Sequence, residues 1–202
     1  MESAVSYEET EEDFVPWVPE FMKEKQEETY TGASRGTAYH RVMECLDYTK
    51  VDEPDQIRRQ LRQMTDEKKL TYKEAESVRV KDIWTFVESP LGQRMKNAFQ
   101  NGSLKREQPF VIARRAEELD PKWQADESIL VQGIMDAWFM EGEDIVLADY
   151  KTDYVKPDQE NMLAEKYRGQ LEDYAGALER MTGRKVKERY IYSFCLGKEI
   201  LL

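Results

Sequence analysis

One stretch constrains this chain more than any other: Ile145-Val146-Leu147-Ala148 runs without a polar break into Asp149-Tyr150-Lys151. Four apolar residues in a row, ending at an acid, read as a strand buried on both faces. A carboxylate at the end of such a strand needs a partner, because burying an unpaired charge is strongly disfavoured. The segment upstream supplies one. Ile129 to Met140 reads as a second strand, and Glu141-Gly142-Glu143 joins it to a strand over Asp144–Thr152. A two-residue turn at Gly142-Glu143 has glycine first, as a type II′ turn prefers, and it pairs Glu141 with Asp144 and Met140 with Ile145. Continuing that register sets Asp136 opposite Asp149. A four-residue loop on the same centre gives the same register, whereas a three-residue loop shifts it by one and separates the acids.

Two carboxylates facing each other on one sheet face have Cβ atoms about 5 Å apart and repel. A divalent cation between them removes the repulsion, and hard oxygen donors favour Mg²⁺ or Mn²⁺. Lys151, two residues beyond Asp149, shares its face. It is placed to hold a phosphate or to orient attacking water. Its positive charge beside two anions favours that role over the role of a free base. Taken from the residues alone, the pattern also fits a solvated strand pair with chance charges.

The rest of the chain frames this hairpin. Helical patterning begins at Ser34, with Val42, Met43, Cys45 and Leu46 on one face and His40 and Glu44 four apart on a neighbouring one. Residues 53–100 read as further helices, opened at Pro54-Asp55, at a Thr71-to-Glu74 capping box and at Ser89-Pro90. Glu107 to Arg114 favours a strand with an edge or bulge at Pro109. Asn161 to Met181 is a long amphipathic helix stopped by Gly183, and Val186 to Leu196 is a last strand. The expected fold is α/β, a mixed sheet flanked by helices in α-β-β-β-α-β order with an added helical segment. Residues 1–33 read as an acidic flexible arm or linker, 34–202 as the folded domain and 54–102 as a helical insertion within it.

The formal charge of −11 argues against a nucleic-acid binder at first sight. However, ten of the 41 acids and only two of the 30 bases lie in residues 1–33, which leaves the remainder at 31 against 28. That part is nearly balanced, so DNA contact would depend on local patches. Arg35, Arg41, Lys151, Lys156 and Arg168 flank the informative segments. Two cysteines, Cys45 and Cys195, are too few for an iron–sulfur cluster or a four-thiolate zinc site. No apolar run approaches the roughly 20 residues that span a bilayer, and the acidic start lacks the features of a secretory signal. A cytoplasmic protein with no membrane partner is therefore expected.

Four ordered segments resemble one family. Gly133-Ile134-Met135-Asp136 with Leu147-Ala148-Asp149-Tyr150-Lys151-Thr152-Asp153 is similar to the signature of the PD-(D/E)XK nucleases. More narrowly, it resembles the nuclease domain at the C-terminus of bacterial AddA and RecB helicase–nuclease subunits. Arg35-Gly36-Thr37-Ala38-Tyr39-His40 resembles that branch's Gly-Thr-x-x-His segment, and Gln170 to Tyr174 its Gln-x-x-x-Tyr helix motif. The resemblance implies a restriction-endonuclease-like core in which His40, Asp136, Asp149 and the Tyr150 carbonyl bind metal. It implies catalytic roles for Asp136, Asp149, Lys151 and Gln170, with Glu107 acting through water and Tyr174 supporting the site by packing. It further implies a Mg²⁺-dependent deoxyribonuclease, of exonuclease rather than endonuclease type, with Mn²⁺ able to substitute. Such an enzyme would process single-stranded DNA ends in recombinational repair, beside a helicase domain and an AddB-like subunit. The chain has no Gly-x-x-x-x-Gly-Lys-Ser/Thr loop, so no ATP site is expected and the chain reads as an excised nuclease domain without its motor or as a stand-alone relative. A catalytically poor DNA- or helicase-binding module of the same fold, and a helical interaction protein using the Trp17 arm, are the alternatives.

Overall fold

The computed structural model describes residues 30–115 and 128–202. Almost all of the expected acidic arm therefore lies outside the described residues. Helix α1 (Tyr30–Cys45) starts four residues before the sequence pattern suggests. Four helices follow: α2 (Pro54–Asp66), α3 (Tyr72–Ser77), α4 (Val80–Glu88) and α5 (Pro90–Gln100). Three antiparallel strands come next, β1 (Lys105–Arg115), β2 (Ser128–Glu141) and β3 (Asp144–Lys151). Helix α6 (Glu160–Thr182) then crosses to β4 (Val186–Ser193), parallel to β3, and β5 (Lys198–Leu201) closes the sheet in the order β1-β2-β3-β4-β5. This is the mixed α/β sheet expected from the sequence.

Local chemistry sets most boundaries. In α2 the buried Ile57, Leu61 and Met64 recur at helical spacing. Buried Gln60 joins them and bonds the backbone of Asp47 and Lys50, which ties down the preceding loop. Thr71 and Glu74 form the expected capping box. Ser89 caps α5 by accepting the Gly92 N–H. A side chain at Gly92 would put a Cβ 1.9 Å from the Phe86 carbonyl, so glycine is what lets α4 and α5 meet. Gly183 ends α6 at φ +68°.

Two differences from the sequence pattern have local causes. The span that reads as one helix from Thr71 divides at Val78 and Arg79, both extended, and α4 restarts there. The last strand stops at Ser193 instead of Leu196, where a turn with Gly197 at φ +65° returns the chain as β5. Four residues of half-exposed strand carry too little alternation to show in a sequence.

The core has two parts, one on each face of the sheet. One gathers α1–α5 over Ala137, Phe139, Val146, Ala148, Tyr150 and Tyr192. The other sets α6 against Phe110, Val131, Met135, Ile145, Leu147 and Ile191. Arg94 of α5 clamps the first layer to the sheet, reaching both Glu141 oxygens at 2.8 Å and Glu188 at 2.6 Å, while Lys187 also holds Glu141 at 2.9 Å. Arg94, against the opposing pull of burial, and then Lys187 bring the Glu141 carboxyl down to about 2. A carboxyl depressed in the folded state stabilises above its ordinary range and loses that contribution as pH falls through the range towards 2. Glu141→Gln is therefore expected to cost about 1 kcal/mol at neutral pH, after discounting for solvent screening. Urea unfolding from pH 7 downwards should show the deficit shrinking as acid is added, and a deficit that stays constant in acid would contradict this.

Candidate active site and metal centre

The site sits at a fork in the sheet. β2 pairs with β3 only from Glu141–Asp144 to Ala137–Ala148, in the register expected from the Gly142 turn. Beyond that point β3 stays with β4 as far as Lys151, and β2 stays with β1 as far as Ser128. The ladder ends one pair short of Asp136 and Asp149, so the two acids lie where the strands part rather than in a closed cross-strand pair. The Tyr150 N–H, facing the fork, instead donates to Asp136 Oδ2 at 2.7 Å.

β1 and β2 change faces together at this point. Ala137 and Phe139 pack on the α1–α5 side, whereas Val131 and Met135, of the same parity, pack on the α6 side. On β1, Arg106 stacks on Phe99 of the first layer, while Phe110 and Ile112 belong to the second. The residues at the crossover are Glu107 and Asp136. Glu107 has φ +46°, a left-handed conformation that costs a non-glycine residue free energy and concentrates at functional sites.

Helix α1 brings His40 into the fork from the α1–α5 side. Its Nδ1 lies 3.1 Å from Asp136 Oδ1 and 3.9 Å from Glu107 Oε1, and its Nε2 lies 3.1 Å from the Tyr150 carbonyl oxygen. One ligand atom each from His40, Glu107 and Asp136 falls within a 4.8 Å cluster, which makes a candidate acidic metal site. Hard carboxylate and carbonyl oxygens with one imidazole suit a small divalent cation, so the residues present fit the group. Burial alone would raise the Asp136 carboxyl, but His40, Lys151 and the Tyr150 N–H outweigh it and bring it down to about 2. It is therefore a ready anion in a buried position.

α6 forms the opposite wall. Lys151 Nζ lies 2.8 Å from Asp149 Oδ2, donates to Gln170 Oε1 at 3.0 Å and sits 4.0 Å from the centre of the Tyr167 ring. Gln170 in turn donates to Tyr174 Oη at 2.8 Å. The chain Lys151–Gln170–Tyr174 is buried throughout, so the amine is held rather than mobile. Asp149 is 1 % exposed, and its Oδ2 is in ion-pair contact with Lys151. Burial first, and the nearby Asp136 second, push its carboxyl up against the pull of Lys151.

Every site residue singled out from the sequence is thus in or beside the fork. His40, Asp136, the Tyr150 carbonyl and Glu107 come together, with Glu107 in the candidate cluster beside His40 and Asp136. Asp149 adjoins that cluster but engages Lys151. Tyr167 is the site residue that sequence reasoning misses. Its signal is the spacing of 167, 170 and 174, three and four apart, on one face of α6. Of the flanking bases, Lys156 and Arg168 are exposed, Arg41 is paired with Glu44, and Arg35 lies 4.0 Å from Asp82.

Comparison with known proteins agrees with this geometry. Residues 11–198 match the model of the PD-(D/E)XK nuclease superfamily. An ATP-dependent helicase/nuclease subunit from Clostridium perfringens is 40 % identical over 200 residues, covering 96 % of this chain and 16 % of that protein. Proteins of the same description from Syntrophomonas wolfei and Acetivibrio thermocellus are 40 % and 42 % identical, covering 93 % and 89 % of this chain. The chain spans 14–16 % of the length of these relatives. No helix among the described residues is long and apolar enough to cross a membrane. The match over nearly the whole chain and the acids at the sheet fork agree: this chain belongs to the PD-(D/E)XK nuclease superfamily and is similar to the nuclease region of AddA-type helicase/nuclease proteins.

Proposed function

We propose that this chain is a Mg²⁺-dependent deoxyribonuclease domain that hydrolyses phosphodiester bonds in single-stranded DNA. The observation that carries the reading is the fork, where Asp136, Glu107 and His40 converge and Asp149 and Lys151 stand beside them. His40, Asp136, Asp149 and the Tyr150 carbonyl, joined by Glu107, would hold the cation, and Mn²⁺ would substitute for Mg²⁺ on the same oxygen donors. When bound, the cation supplies a Lewis acid that activates water and offsets charge on the reacting phosphate. Lys151, fixed by Gln170 and screened from water by Tyr167, donates to the scissile phosphate or to the attacking water and orients it. Tyr174 acts one step back by holding Gln170. Burial of Asp136, Asp149, Lys151 and Gln170 strengthens the interactions that they make.

In this reading residues 34–202 form the nuclease domain, 54–102 its helical insertion and 1–33 an arm or interdomain linker. The relatives' description as ATP-dependent helicase/nuclease proteins supports a place beside a helicase motor and an AddB-like subunit. The setting is cytoplasmic double-strand-break end processing in recombinational repair. Exonuclease rather than endonuclease action belongs to this reading, supported by the likeness to helicase/nuclease proteins. Incubation with linear and circular forms of the same single-stranded DNA in Mg²⁺ tests this. The linear strand should be degraded to short products and the circle should survive. Equal loss of both would overturn the exonuclease assignment, and loss of neither would overturn nuclease action by the isolated domain.

A further inference from the structure

Tyr154 is the most exposed large apolar side chain among the described residues, at 85 %, yet the backbone on both sides of it is tied down. The Asp153 carboxylate accepts from Tyr167 Oη at 2.9 and 3.1 Å and from Lys166 Nζ at 3.2 Å. Val155 packs against the α6-side core, and its carbonyl accepts the Cys195 thiol at 3.5 Å. The Lys156 N–H donates to Gln159 Oε1 at 3.3 Å. A lone surface aromatic is ordinary. A ring held out on a pinned segment is different, because that segment cannot fold back to shelter it.

Position gives the ring a use. Tyr154 follows the end of β3 by three residues, and three residues of extended chain reach at most roughly 10 Å, so its backbone lies within that distance of the Lys151 backbone. The two are also coupled through one side chain. Tyr167 carries Lys151 Nζ over its ring, and its hydroxyl fixes Asp153. The exposed Lys156 adds a positive charge two residues further along the chain.

We propose that Tyr154 is a stacking platform for one nucleobase of single-stranded DNA, seating a nucleotide that flanks the phosphate held at Lys151. This rests on the reading of the fork as a nuclease site and names how that site recognises its substrate. Every base has a π-face, so the platform is indifferent to sequence. It takes only a base free of its neighbours, since both faces are already covered in a duplex. It therefore selects single strands over double strands.

The test is binding of fluorescent oligothymidylate to the whole 202-residue chain in EDTA, with a series of oligomers carrying one abasic nucleotide at successive positions. Tyr154→Ala should bind the intact strand roughly tenfold more weakly, and Tyr154→Phe should bind it as the parent does. Both variants should keep the parental unfolding midpoint, because the ring is exposed. At one position the abasic nucleotide should weaken the parent by the same factor and weaken Tyr154→Ala no further. Parental affinity in Tyr154→Ala, losses that multiply in full, or no single-strand binding by the parent would overturn the platform. Cleavage in Mg²⁺ is scored separately. A parent that binds with this pattern but cuts nothing would leave the platform standing and remove the nuclease reading.

Discussion

Asp136→Asn is expected to lower the rate of strand cleavage by about a thousandfold, the loss seen when a single preorganised charge-stabilising group is removed from a buried site. Asp136 is the hub of the fork. One of its oxygens accepts the Tyr150 N–H and the other faces His40 at 3.1 Å, so the carboxylate joins β2, β3 and α1. Asparagine keeps the shape and can still accept from Tyr150, but it removes a charge held down to about 2 by its neighbours. A divalent cation then loses its one deeply buried anionic ligand in the cluster with His40 and Glu107. Calorimetric titration with Mn²⁺ separates the causes. The variant should show affinity reduced tenfold or more with an unchanged fold, and parental affinity would place the metal elsewhere.

The second large effect is on Lys151. Lys151→Met should reduce cleavage by roughly a hundred- to a thousandfold. It should also destabilise the metal-free protein by about 3 kcal/mol, because removing one partner of a buried pair strands the other. The stranded group is Asp149, whose carboxyl is already pushed up by burial and by Asp136. Without Lys151 it rises further. A carboxyl with a raised folded value destabilises progressively as pH climbs through and above its range, and does so little below it. Denaturant unfolding in EDTA should therefore show a larger deficit at pH 8 than at pH 5. Equal deficits at the two pH values would mean that the loss comes from packing on Tyr167 and Gln170 instead.

What is legible from the sequence is mostly local. The Gly142 turn and the unbroken run Ile145–Ala148 fix the β2–β3 register, and that register brings Asp136 towards Asp149. Thr71 and Ser89 mark helix starts because capping is a matter of a few adjacent residues. The fork is not legible. It depends on the left-handed backbone at Glu107 and on α1 and α6 packing against opposite faces of a parting sheet, and none of that has a period. For the same reason the sequence gives Glu107 only as an acid acting through water, and its closeness to His40 and Asp136 in the candidate cluster shows only in the structure. His40 alone looks like an ordinary histidine, and its site role comes from the Gly-Thr-x-x-His resemblance. Its 3.1 Å approaches to Asp136 and the Tyr150 carbonyl give that role a geometry. The relay from Lys151 through Gln170 to Tyr174 follows from helical spacing once Lys151 is known to face α6. That β3 presents this face to α6 is a property of the whole sheet.

The fork is expected to perform metal-dependent phosphodiester hydrolysis. The most direct measurement is the product ladder from 5′-labelled single-stranded DNA, incubated in saturating Mg²⁺ and in EDTA with the parent chain and with Asp149→Asn. The expected result is cleavage by the parent in Mg²⁺, none in EDTA, and none by Asp149→Asn in either. An intact strand after incubation with folded, metal-saturated parent, or undiminished cleavage by Asp149→Asn, would contradict it.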